Sequence, residues 1–285
     1  MCVCDVVALF RYIARSKQLS SLRTTLLTSH TPIDIDTTLT HMERIKHITL
    51  TRIERANVTV CLQSISNIHS IIQLVETTKT QSFDWNKTSH FALIDHYWLS
   101  MYPNVTRKNR MVSSEWGELG FQGKDPSSDF RGMGMLGLVQ LDYFASVRSS
   151  EARRVLGDSM HVRRYYPFSA TGINITAFVL ELLRENRLHA VLMKNLEKYC
   201  LDSRSSQMTL SSFTVDVMGS GGDDDGASDV IVKGCCTLHD IYCDVFIYFN
   251  DLWVERDPPN IMSFAAIFEE VKSNFRSQFP AVAVA

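Results

Sequence analysis

The chain has 285 residues, 45% hydrophobic and 21% charged, enough for a sizeable core in one large domain or one domain with a short helical preface. Its 29 Lys and Arg nearly balance 31 Asp and Glu, for a net charge of −2. Phosphate neutralisation needs a basic excess or a dense basic stripe, so nucleic acid is excluded as the main partner. The seven scattered cysteines (Cys2, Cys4, Cys61, Cys200, Cys235, Cys236 and Cys243) include no CxxC and read as thiols of a reduced, cytoplasmic chain.

In chain order, residues 5–27 predict a first amphipathic helix, with Val6, Leu9, Phe10 and Ile13 on one face. Residues 1–31 also carry the Arg-, Ser- and Thr-rich composition of a transit peptide, and Cys2 and Cys4 could hold acyl chains beside such a helix. No secretory signal and no stretch of roughly 20 apolar residues occurs, which leaves peripheral membrane association open but no span. Residues 36–56 are polar with thin apolar markers. Residues 58–76 carry a helical stripe through Ile65, Ile68, Ile72 and Val75, although their β-branched content also suits a strand. A polar joint, Thr77 to Ser82, separates residues 1–80 from the rest.

Residues 89–101 predict a helix closed by Pro103, and a basic run with Arg107, Lys108 and Arg110 follows. Residues 133–147 are apolar on nearly every side, which marks a central buried helix. Helical patterns return at 173–188 and 190–201, then the acidic GSGGDDDG stretch at 219–226 reads as a solvated loop. Residues 238–253 are undecided between strand and helix. Asp257-Pro258-Pro259 stops them, and a last helix runs from about Asn260 to Phe275. Cys235, Cys236, His239 and Cys243 make the nearest approach to a metal set, without a second ligand pair; neither metal nor cofactor is expected.

The chemistry concentrates in residues 116–144, WGELGFQGKDPSSDFRGMGMLGLVQLDYF, a turn-rich charged loop running into the buried helix. Ser128 or Asp129 is placed to cap that helix, because a short side-chain oxygen accepts orphan backbone N–H groups. Gly132 and Gly134 cost helix propensity and permit close backbone approach. Arg131 lies between cap and glycines. It is either a structural arginine paired with Asp129, Asp125 or Asp142, or an exposed cation available to a partner. A donated guanidinium can stabilise the spread charge of phosphoryl transfer, by about 10³–10⁵ in rate. No GxSxG, HExxH, Walker A or kinase signature supports a free-standing enzyme.

The run Trp116, Gly120, Phe121, Gln122, Pro126, Ser128, Asp129, Phe130, Arg131, Gly132 and Gly134, followed by Leu136 and Tyr143-Phe144, closely resembles the signature of the ELMO domain, in particular that of the ELMO-domain-containing (ELMOD) proteins. The likeness continues through Pro167-Phe168, Gly172 to Thr176, Phe246 to Trp253 and Pro259 to Phe264, covering about residues 84–276. It implies an all-α, multi-helix fold preceded by the helical segment 1–80. It also implies GTPase-activating function in membrane traffic toward an Arf or Arf-like GTPase in its GTP form, with Arg131 as the arginine finger. The scaffold-type ELMO proteins, partners of DOCK exchange factors for Rac, resemble the same domain but lack that arginine. A non-catalytic scaffold or interaction module is therefore the alternative. Ser128 stands where the family usually has Thr. Trp116, Phe121 and Phe130 are expected as core anchors, Asp129 as a capping and arginine-orienting residue. Gln122 is either a water-orienting group or a loop-backbone partner.

Overall fold

The computed structural model describes residues 6–28, 33–105, 111–201 and 225–281; among them every regular element is helical and no strand occurs. The all-α expectation holds. The first expected helix is two: α1 (Val6–Arg15) and α2 (Ser20–Thr28), bent at Ser16 through a 3₁₀ turn at Lys17–Leu19. Arg23 Nη2 donates to the Ser16 carbonyl at 3.1 Å and fastens the bend. This lets Phe10 and Ile13 of α1 and Leu26 of α2 all be buried, which one straight rod would not allow.

Helix α3 (Ile35–Lys46) starts at Asp34, whose carboxylate accepts the Thr37 amide, and ends at His47 in the left-handed region (φ 52°). Helix α4 (Arg52–Thr80) starts earlier than its apolar stripe. Thr51 and Glu54 form a reciprocal capping box, satisfying two otherwise orphan amides. The predicted joint at Thr77–Ser82 is still helical up to Thr80.

The remaining helices are α5 (Thr88–Met101), α6 (Gly134–Val147), α7 (Ser149–Ser159), α8 (Phe168–Arg184), α9 (His189–Leu201), α10 (Asp225–Arg256) and α11 (Phe264–Gln278). Every residue of α6 from Gly134 to Ala145 is buried, as its pattern required, and α4, α5, α7, α8 and α10 surround it. α4 is long and apolar enough to cross a membrane, but its stripe (Leu62, Ile65, Ile68, Ile72, Val75) is buried in this core. The core is continuous from Val7 in α1 to Phe275 in α11.

Residues 238–253, undecided by periodicity and helical by the resemblance, are helix, within α10. Their β-branched and aromatic side chains are buried on several sides of a central element, where packing overrides strand propensity. Cys235, Cys236, His239 and Cys243 are all buried on this helix, and no metal-holding cluster exists among the described residues. Burial pushes the Cys235 thiol up to about 12 and the His239 ring down to about 4, so both stay neutral. The acidic stretch up to residue 224 and the basic run Arg107, Lys108 and Arg110 lie outside the described residues.

Candidate functional site

The motif segment is two short 3₁₀ turns leading into α6. The first, Ser114–Leu119, is capped by the Ser113 hydroxyl and closed by Gly120 at φ 73°. A Cβ on Gly120 would lie 2.1 Å from the Phe168 amide nitrogen, so only glycine fits where this turn meets the start of α8. Trp116 is fully buried, and its Nε1 donates to the Met111 carbonyl at 2.7 Å. Its ring meets Phe121 edge-on at 5.7 Å, and Phe121 meets Phe130 at 5.6 Å. All three are the core anchors expected from sequence. Gluing loop to core with aromatics gives the segment a fixed shape.

The second turn, Pro126–Arg131, places Arg131. Asp125 is its cap: Oδ1 accepts the Ser127 amide at 3.0 Å and the Trp85 indole N–H at 3.0 Å. Neither Ser128 nor Asp129 caps α6, contrary to expectation, because α6 begins later, at Gly134. The Ser128 hydroxyl donates back to the Asp125 carbonyl at 3.0 Å, and Asp129 Oδ2 accepts the Gln122 amide at 2.9 Å. The cap of α6 comes from across the fold: the Gln81 carbonyl, just past α4, accepts the Met135 amide at 2.9 Å.

Gly134 makes that contact. Its φ is +51°, and a Cβ there would sit 2.1 Å from the Lys79 carbonyl oxygen. Gly132 has open space instead. Close approach is thus required at one of the two glycines.

Arg131 is exposed. Its Nε donates to the Ser128 carbonyl at 2.8 Å, and its terminal nitrogens bond to nothing within the described residues. None of the three aspartates considered as partners pairs with it: Asp125 holds Trp85, Asp129 holds Gln122, and Asp142 is buried against His96 at 2.5 Å. Asp129 therefore orients the loop and not the arginine. Its carboxyl is pushed up by burial, with the Gln122 amide and the Arg131 charge acting against that rise.

Arg131 lines an open cleft of 610 Å³ together with Lys79, Thr80, Ser82, Phe83, Ser127, Ser128, Phe130, Gly132 and Gly134. Among the described residues two cations and no carboxylate line it. Gln122 is exposed, lies off this cleft, and only its backbone amide serves the loop. The wall from Lys79 to Phe83 was not legible from the motif. It is brought there by a contact distant in sequence, and the one local clue was the glycine now seen at positive φ.

The family model for the ELMO/CED-12 family matches residues 73–268. ELMO domain-containing protein B of Dictyostelium discoideum is 33% identical over 217 residues, covering 76% of this chain and 63% of the relative. ELMO domain-containing protein 2 of Homo sapiens is 30% identical over 208 residues, 72% of this chain and 58% of the relative. ELMO domain-containing protein 1 of Bos taurus is 28% identical over 235 residues, 76% and 62% respectively. The chain thus spans less than two thirds of the length of these relatives. No solved structure matches it. With the signature segment built into the loop that opens α6, and with a family model matching more than half of its length, the chain belongs to the ELMO/CED-12 family.

Proposed function

We propose that the chain is a GTPase-activating protein for an Arf-family small GTPase, lending Arg131 to the partner's nucleotide site. One observation supports this above the others: an exposed guanidinium, held through Nε to a backbone carbonyl, has its terminal nitrogens free and no carboxylate paired with it among the described residues. Phosphoryl transfer spreads negative charge over the oxygens of the moving group, and a planar fork of donors meets two of them at once. The reading needs no cofactor bound to this chain. It places the protein in the cytoplasm, peripherally on membranes where its partner is loaded with GTP.

The test is hydrolysis by a panel of GTP-loaded Arf and Arf-like proteins, with and without the full chain. One or more should be stimulated, and Arg131→Ala should remove about 10³-fold or more of the stimulation without moving the unfolding midpoint. Equal stimulation by Arg131→Ala would refute the finger. Binding of the GTP form with no acceleration by the parent chain would favour the scaffold reading.

A further inference from the structure

A second cleft, of 570 Å³, lies far along the sequence from the loop of Arg131, where α1, α9 and the end of α11 meet. Its charged lining is Arg11 and Arg15 from α1, Lys194 from α9, and Arg187 from the turn before α9; no carboxylate among the described residues lines it. Val7, Val191 and Phe279 supply apolar wall. Arg187 is already engaged: Nη1 donates to the Arg276 and Phe279 carbonyls at 2.8 and 3.0 Å, and Nε to Glu185. It forms a fixed floor with its charge partly met.

Arg11, Arg15 and Lys194 are different. All are exposed, and none has a hydrogen bond or ion pair among the described residues. Most other surface arginines here are paired, for example Arg184 with Glu76, Arg154 with Asp251 and Arg256 with Glu270. Like charges converging on one concavity repel, and a fold that leaves them unneutralised there offers a site to an anion.

We propose that this cleft binds a compact phosphate-bearing anion of the kind carried by phosphorylated inositol lipid headgroups. Arg11 and Arg15 stand one helical turn apart on α1, with Lys194 facing from another helix. All three line this one cleft, which suits clustered phosphates better than an extended acidic peptide. Arginine also binds phosphate oxygens through two parallel donors. A volume of this order is ordinary for a small-ligand site, about 300–1,000 Å³.

The test uses the full chain in two arms. Co-sedimentation compares vesicles of phosphatidylcholine alone with vesicles that also contain phosphatidylinositol 4,5-bisphosphate. Calorimetry uses soluble inositol 1,4,5-trisphosphate. The parent should bind in at least one arm, more weakly as salt rises, because the screening length shortens from about 10 Å at 0.1 M to about 3 Å at 1 M. Binding to vesicles assigns a membrane source, and binding to the trisphosphate alone assigns a free anion. At about fivefold per cation near an anionic surface, Arg11→Glu/Arg15→Glu/Lys194→Glu should weaken binding on the order of 10²-fold or more. Arg11→Lys/Arg15→Lys keeps the charge but loses the paired donors, so it should bind between the parent and the triple variant, and circular dichroism should show both variants folded. Arg131→Ala should bind like the parent, which separates this site from the GTPase reading. No binding in either arm, or equal binding by the folded triple variant, overturns the proposal.

Discussion

Gly134→Ala and Gly132→Ala are one methyl each, two positions apart in one motif, and the structure assigns them opposite signs. At Gly134 the new Cβ would lie 2.1 Å from the Lys79 carbonyl oxygen and 2.6 Å from that of Gln81. Both are backbone atoms at the end of α4, and neither can rotate away. Relief needs a shift of about 1 Å between α4 and α6, which strains the 2.9 Å bond from the Met135 amide to the Gln81 carbonyl. A left-handed conformation costs an L-residue roughly 1–2 kcal/mol, overpacking about 1–3, and a lost hydrogen bond about 1. The sum is on the order of 3–6 kcal/mol, a large share of a typical domain's stability. At about 2–4 °C per kcal/mol for a chain of this size, the melting point should fall by roughly 10 °C. Gly132 sits at φ −82° and ψ −37° with nothing near its would-be Cβ, so alanine there should stabilise by about 0.4–1 kcal/mol through the unfolded chain. Urea denaturation followed by circular dichroism measures both. A Gly134→Ala midpoint equal to that of the parent would refute the claim that close backbone approach explains this glycine.

Further outcomes follow from the buried polar contacts. His96→Ala leaves Asp142 buried without a partner and should cost about 3 kcal/mol, whereas His96→Ala combined with Asp142→Asn should recover part of that loss. The hydrogen bond to Asp142 raises the His96 ring above its ordinary value of 6.5, against an opposing effect of burial. That contribution is therefore full below about pH 6.5 and is lost as pH rises through the raised folded value. The Asp142 carboxyl is pushed up by burial, more than His96 lowers it, so its contribution likewise fades as pH rises above about 3.8. The difference in urea midpoint between the parent and His96→Asn should shrink from about pH 6 to pH 9; taking the difference cancels His90, whose ring burial pushes the other way. A constant difference across that range would remove the pair as its source. Trp85→Phe deletes the donor to Asp125 while the Ser127 amide remains, so it should cost about 1 kcal/mol by chemical denaturation. Asp129→Ala removes the acceptor of the exposed Gln122 amide, which water replaces, and should cost about 0.5–1 kcal/mol, yet leave any stimulated GTP hydrolysis near the parent rate. A collapse of that rate in the folded variant would restore Asp129 as the residue that orients Arg131.

Much of this architecture is legible in the residues, and the gaps have physical causes. The all-round apolar run of α6 shows as a buried helix because no face of it is left for water. The aromatic anchors of the loop are equally plain, since Trp116, Phe121 and Phe130 have few alternatives to burial. The start of α4 was hidden by polar residues on its exposed first turns, although Thr51 and Glu54 carry the spacing of a capping box. In α10 aromatic and β-branched side chains argued for strand against a helical face through Ile241, Val245, Phe249 and Leu252; the family resemblance favoured helix, and neighbouring helices on several sides stabilise it. The cleft beside Arg131 is the least legible part. Its far wall, Lys79 to Phe83, reads locally as a polar joint and becomes a wall only when the end of α4 meets Gly134.

How the loop distributes its acids bears on why a carbonyl, and not a carboxylate, holds Arg131. An arginine locked in an ion pair is well oriented but largely neutralised, and a partner's phosphate would have to displace the carboxylate first. Here each aspartate of the loop has another duty: Asp125 caps the turn and holds Trp85, and Asp129 ties the loop to Gln122. The Ser128 carbonyl restrains the guanidinium at Nε and leaves both terminal nitrogens without a hydrogen-bond partner among the described residues. Because that acceptor is main chain, its position follows from the rigidity of the turn, which Pro126, Phe130 and the Asp125 cap supply. Orientation and charge are thus provided by different parts of the loop.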